Sequence, residues 1–188
     1  MKELEDKISK EGIVLKGDIL KVGSFLNQQV DTRLLKLMAK EVKRLFPEKI
    51  DKVLTVEASG LPFATAIGME LDCPVVFAKK SKTSNVSGDI VTASVESYTQ
   101  GVTNTVYITK DYIAEGDRVL IADDFLAKGN ALAGLIEIVN KCGGIIVGVA
   151  IEIEKAYQEG GNNLRKKGYR IESLASIAEM DENKIIFN

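Results

Sequence analysis

An α/β fold, with a mostly parallel central sheet and helices on both faces, is what this sequence predicts. Three observations carry that expectation. Short apolar runs at residues 52–57, 75–78, 119–122 and 145–153 read as strands covered on both faces. Segments with the apolar spacing of helices lie between them, and that alternation builds parallel sheets. Two acids, Asp123 and Asp124, then follow the run Val119, Leu120, Ile121, Ala122 directly. Open α/β sheets bind their ligands at that end of a strand.

Taken in chain order, residues 2–10 read as a short helix with Leu4 and Ile8 inward. Residues 12–27 read as irregular or extended. Asp31 is an N-cap for a helix to Phe46 that carries Leu34, Leu35, Met38, Val42 and Leu45 on one face, and Pro47 stops it. Strand 52–57, helix 61–71 and strand 75–78 follow. Residues 91–98 and 104–109 read as antiparallel strands around Gly101, a flap or edge hairpin. Beyond the strand that meets the acids come helix 130–142, a stop at Gly143-Gly144 and strand 145–153. The tail reads as helix 158–167, strand 169–174 and a last strand at 184–187. No internal repeat or linker interrupts this order, so residues 1–188 are expected to form one domain. One stretch breaks the pattern: residues 80–90 are polar, rich in serine and preceded by Lys79. A polar segment of that length inside an α/β domain reads as a lid.

Composition narrows the function classes. The chain is 45% hydrophobic and 28% charged, as in an ordinary globular protein. Its net charge of −2 argues against a protein that coats nucleic acid, which would be basic. There is no histidine, and Cys73 and Cys142 share no motif, so neither a Cys/His zinc site nor a disulfide framework is expected. The N-terminal residues MKELEDKISKEG mix both charges and lack a signal-peptide core. The longest apolar run, 145–151, is far too short for a membrane span. A cytoplasmic protein is the expectation.

The chemistry concentrates in VLIADDFLAKGNA, residues 119–131. Acids at the strand end, a glycine loop and a helix start together suit a ligand with hydroxyls and a phosphate: a sugar phosphate. The N–H groups opening a helix favour the anion. Competing owners of such a strand fail on residues. A receiver domain needs a further aspartate on a later strand, and 168–173 offers only Glu172. Neither G-x-G-x-x-G nor G-x-x-x-x-G-K-[ST] is present, which removes dinucleotide and P-loop sites.

That thirteen-residue segment resembles the phosphoribosyl-diphosphate (PRPP) signature of the type I phosphoribosyltransferases. LKVGSFLNQQVD (20–31), VEASG (56–60), VFAKKSKT (76–83), TASVESYT (92–99) and IEIEKAYQ (151–158) are similar to segments of the family's bacterial xanthine branch. The resemblance implies the type I phosphoribosyltransferase fold, with a flap hairpin and a small hood over the base site formed by residues 1–30 and the C-terminal segment. It further implies a homodimer and transfer of the phosphoribosyl group from PRPP to xanthine, giving XMP and pyrophosphate. Magnesium is implied as the cofactor, carried by the diphosphate and near Asp123 and Asp124 rather than caged by protein ligands.

Residue roles follow from the same resemblance. Asp123 and Asp124 are the catalytic pair: they accept hydrogen bonds from the ribose hydroxyls and place negative charge near C1. Ala127, Lys128, Gly129, Asn130 and Ala131 wrap the 5′-phosphate. Glu57, Ala58, Ser59 and Gly60 match the pyrophosphate loop, and Lys79, Lys80 and Lys82 belong to the lid. Leu20, Asn27, Phe125 and Lys155 match positions around the purine. An ammonium donates only, so Lys155 suits a 6-oxo group and disfavours a 6-amino group, and Asn27 is placed to read a 2-oxo group. Ala127 stands where many hypoxanthine–guanine enzymes carry an acid. Xanthine is itself acidic near neutrality, so it needs less help from a base. Guanine or hypoxanthine remains the alternative purine. A non-catalytic PRPP-binding regulator is the alternative class, disfavoured because the residues before strand 52–57 match the base-binding segment and carry no basic helix-turn-helix.

Overall fold

The computed structural model describes residues 1–80, 88–97 and 102–188. The expected lid, with Lys82, falls largely on 81–87, and the turn at Gly101 falls on 98–101. Both lie outside the described residues.

Helix α1 (Lys2–Glu11) buries Leu4 and Ile8. The stretch expected to be irregular is a small hairpin, β1 (Ile13–Leu15) against β2 (Ile19–Lys21), then a π-turn at Gly23–Asn27. Helix α2 (Thr32–Leu45) starts where expected, because the Asp31 carboxylate accepts the N–H groups of Arg33 and Leu34, both at 3.1 Å. The core of the chain alternates β3 (Lys52–Val56), α3 (Leu61–Leu71) and β4 (Val75–Ala78). Next comes the expected hairpin, β5 (Ile90–Ser97) antiparallel to β6 (Val102–Thr109). The chain continues through β7 (Arg118–Leu126), α4 (Asn130–Cys142), β8 (Ile145–Lys155), α5 (Gly160–Lys166), β9 (Ile171–Asp181) and β10 (Lys184–Phe187).

Six strands make the central sheet in the order β10-β9-β8-β7-β3-β4. Only the β10–β9 pair is antiparallel. One face packs on α1, α2, α3 and the β1–β2 hairpin through Leu4, Phe25, Met38, Phe63 and Leu120. The other packs on α4, α5 and the β5–β6 hairpin through Leu54, Ile121, Leu135, Ile138 and Leu164. Burial on both faces explains why β3, β7 and β8 are apolar almost throughout.

Three of the boundary differences from the sequence expectation have a clear physical cause. β7 does not stop before the acids but carries both of them and continues to Leu126. β9 runs on to Asp181, because it pairs with β8 as far as Ile177 and then supplies the partner for β10. α5 starts at Gly160 rather than 158, since 155–158 form a turn closed by the Gln158 N–H donating to the Lys155 carbonyl at 2.9 Å.

Candidate active site

Asp123 and Asp124 sit inside a strand, and both are buried, at 4% and 8% exposure. A solvated strand end that merely caps the next helix is therefore not what this pair is. The Asp124 N–H donates to Asp123 Oδ1 at 3.0 Å. Burial pushes the Asp123 carboxyl well above the usual carboxylate range, and the Asp124 charge adds to that; Lys80 opposes it.

The turn after β3 closes over Asp123. Gly60 comes so near that a methyl group there would overlap Thr55 Oγ1 and lie 2.9 Å from Asp123 Oδ1. Only glycine lets the Glu57–Gly60 turn sit against Asp123. The Glu57–Ala58 peptide in it is cis. The Glu57 carboxylate accepts the Lys80 N–H at 2.7 Å, tying the turn to the end of β4. Thr55 Oγ1 is fully buried beneath Gly60 with no partner among the described residues.

On the far side, Ala127 to Ala131 form a loop that enters α4 through Gly129, which holds φ +82° as N-cap. Glycine populates that left-handed conformation without the Cβ penalty. The loop edges a cleft of about 220 Å³, completed by Val56, Lys80, Val95, Val106 and Phe125. Lys80 faces this cleft, whereas Lys79 lies 6.0 Å over the Phe77 ring and pairs its backbone with Tyr107. Lys79 is thus part of the strand framework rather than of the cleft.

Lys155 ends β8, half-buried, 5.9 Å over the Phe125 ring. Burial pushes its ammonium below the usual lysine value, while Asp18 works the other way. Its Nζ donates to the Asp18 carbonyl at the tip of the β1–β2 hairpin, which brings the N-terminal segment to the site. Tyr157 beside it is pushed up to about 12, first by burial and then by Asp18. Leu20 is not open to a ligand in this form: its side chain is 7% exposed and packs in the core beside Gly12. Asn27 ends the π-turn and is exposed.

The sequence reading missed one acid. Glu152 lies on β8 between Ile151, which pairs with Asp123, and Ile153, which pairs with Phe125, so it is level with Asp124. It is 3% exposed. Burial first, then the charges of Asp124 and Asp123, push it well above the usual range. The signal in the sequence was a glutamate placed inside the apolar run of β8. Because the folded protein keeps this proton while the unfolded chain loses it, stability falls as pH rises from the ordinary carboxylate range toward the raised folded value. Glu152→Gln is expected to stabilise the ligand-free protein at pH 8 by on the order of 1 kcal/mol or more, because the amide is buried neutral without taking up a proton. The gain should shrink at pH 5. Urea unfolding at the two pH values checks this, and an equal or reversed effect would refute the assignment.

A family model described as the phosphoribosyl transferase domain matches residues 22–181. The chain belongs to the phosphoribosyltransferase family.

Its members are transferases, and full-length relatives agree. The chain is 48% identical to a Clostridium botulinum protein named xanthine phosphoribosyltransferase 2, covering 100% of both. Its identity to xanthine phosphoribosyltransferase of Bacillus cereus is 46%, over 100% of this chain and 95% of that one. Among solved structures, adenine phosphoribosyltransferase of Giardia lamblia, complexed with 9-deazaadenine, superposes with a TM-score of 0.80. That match covers 94% of this chain and 98% of that one at 20% identity, which speaks to the fold. The family's type I fold was therefore read correctly from the signature. No helix among the described residues is long and apolar enough to cross a membrane.

Proposed function

We propose that this protein transfers the 5-phosphoribosyl group of PRPP to xanthine, giving XMP and pyrophosphate. The observation that carries the reading is the buried Asp123–Asp124 pair in β7, with the Glu57–Gly60 turn against Asp123 and the 127–131 loop next along the chain. In the reaction the bond from ribose C1 to a pyrophosphate oxygen breaks, and a bond from C1 to a purine nitrogen forms. Positive charge grows at C1 meanwhile. Fixed carboxylates beside it stabilise that charge without reorganising, and their oxygens accept the ribose hydroxyls. The loop holds the 5′-phosphate through backbone N–H groups at the start of α4, and Glu57, Ala58, Ser59 and Gly60 hold the diphosphate. Lys80 adds a cation at the cleft.

Magnesium fits this donor set as a substrate-borne ion. Carboxylate oxygens suit a hard cation, and Mg²⁺ characteristically binds one or two carboxylates together with substrate phosphates. The diphosphate and ribose oxygens would complete its shell near Asp123 and Asp124. When bound, it neutralises the leaving pyrophosphate.

The purine assignment rests on Lys155 and on the names of the relatives. One ammonium proton of Lys155 goes to the Asp18 carbonyl, which leaves two donors for a 6-oxo purine. Phe125 beneath it offers a stacking face, and Asn27 a contact for the 2-oxo group. Ala127 leaves no acid to take a proton from the base, which favours the purine that ionises most readily. Residues 1–188 acting as one domain, a homodimeric assembly and cytoplasmic residence complete the proposal.

Spectrophotometric assay with PRPP, Mg²⁺ and each purine in turn tests it. Xanthine is expected to give the highest kcat/KM. Faster turnover of guanine or hypoxanthine would change the substrate, and PRPP binding without turnover of any purine would replace the enzyme with a binding protein.

A further inference from the structure

Helix α5 is fastened to the sheet at one end and pressed against the 127–131 loop at the other. The fastening is an ion pair buried on its Glu154 side only. Arg165 donates Nη1 to Glu154 Oε1 at 2.6 Å and Nη2 to Glu154 Oε2 at 2.7 Å, a two-pronged geometry. Ser173 on β9 donates to the same carboxylate at 2.5 Å, and Leu164 fills the core below. Gly161 fits this arrangement because a methyl group there would overlap Glu154 Oε1 and stand 2.7 Å from Arg165 Nη1.

The contact with the loop is backbone against backbone. A methyl group on Gly160 would overlap the Ala127 carbonyl oxygen and the Lys128 carbonyl carbon and lie 2.6 Å from the Gly129 nitrogen. From the other side, a methyl group on Gly129 would lie 3.3 Å from Gly160 Cα and 3.3 Å from Leu164 Cδ1. None of these neighbours is a flexible side chain that could swing away, except at the Leu164 tip. The shape of the loop is therefore imposed from behind by a helix that has no part in the cleft itself.

We infer that Gly160, Gly161 and the Glu154–Arg165 pair are positioning residues that set the conformation in which residues 127–131 bind the 5′-phosphate of PRPP. This rests on the loop being the phosphate site. A loop whose N–H groups must converge on one anion loses affinity when it has to be ordered at the moment of binding, and a rigid backing removes that cost. The diphosphate half of the substrate lies against the Glu57–Gly60 turn, which α5 does not touch in any contact above. The effect should therefore be confined to the ribose-phosphate half.

Isothermal titration calorimetry on the full chain separates the halves, with ribose 5-phosphate and magnesium pyrophosphate as probes. Gly160→Ala is expected to weaken ribose 5-phosphate by about tenfold and to leave pyrophosphate within roughly threefold. KM for PRPP should rise, with kcat at saturation nearly unchanged. Unaltered ribose 5-phosphate binding, or equal weakening of both probes, overturns the inference. Should Gly160→Ala fail to fold, Arg165→Lys decides by the same two probes, since it keeps the charge and loses the two-pronged bond. Ala131→Asp examines the underlying reading, because a carboxylate is tolerated in the first turn of α4 yet repels a phosphate. If Ala131→Asp leaves ribose 5-phosphate binding intact, the loop is not the phosphate site. If it weakens binding and Gly160→Ala does not, only the role of α5 falls.

Discussion

Asp124→Asn is expected to lower kcat by at least about tenfold (~1.4 kcal/mol), and the double variant with Asp123→Asn by at least about a hundredfold (~2.7 kcal/mol). Asparagine keeps the size and one acceptor oxygen, so under the proposed function what it removes is charge beside C1 and part of the grip on the ribose hydroxyls. Both carboxyls are buried, so their field is poorly screened. The same substitution relieves the ligand-free protein. Burial and then Asp124 push Asp123 up, and Asp124 also pushes on Glu152. Removing that charge makes the pocket cheaper to fold. Turnover should fall while the thermal midpoint of the ligand-free protein holds or rises. A residue kept for packing would lose both together. Steady-state kinetics beside a thermal melt decides it, and near-normal kcat in the double variant would sink the catalytic role.

The sheet and its helices were legible because burial on two faces writes itself as apolar runs, and because Asp31 and Gly143 act locally. Asp31 needs only its neighbours' N–H groups to start α2, and Gly143 needs only its own positive φ of 77° to stop α4. The acid pair was legible for a related reason, since two charges inside an apolar strand demand a use. Depth was not legible: continuation of β7 to Leu126 depends on pairing with β8, which no local pattern states. Long-range partners were hidden altogether. The Lys155 ammonium meets the Asp18 carbonyl across 137 residues, and Leu20 faces the core because β2 pairs with β1. Glu154 and Glu152 look alike in IEIEK, yet one is neutralised by Arg165 while the other faces the acid pair. Only the fold separates them. The Gly160-Gly161 pair lay unremarked inside the helix expected at 158–167, and its meaning emerged from what lies within reach of each missing Cβ.

Arg165→Ala should destabilise the protein by about 2–3 kcal/mol, somewhat below the 3–5 typical of a fully buried pair. The discount reflects solvent: Glu154 is 4% exposed, but Arg165 is 37% exposed and partly screened. Burial alone would raise the Glu154 carboxyl, but the hydrogen bonds from Arg165 and Ser173 outweigh it and hold the group below its ordinary value. A depressed folded value means that this contribution is complete above the ordinary carboxylate range and is lost as pH falls through the folded value. In Arg165→Ala the burial cost stands with only Ser173 to oppose it, so that variant should become less stable as pH rises. The gap between the two proteins is therefore widest near neutrality and closes in acid. A matched replacement sharpens the point. Glu154→Leu with Arg165→Met removes both charges and keeps the volume, and should recover most of the loss. Urea unfolding of the three variants between pH 4 and 8 measures all of it. A gap independent of pH would mean that Arg165 matters for its packing and not for its charge.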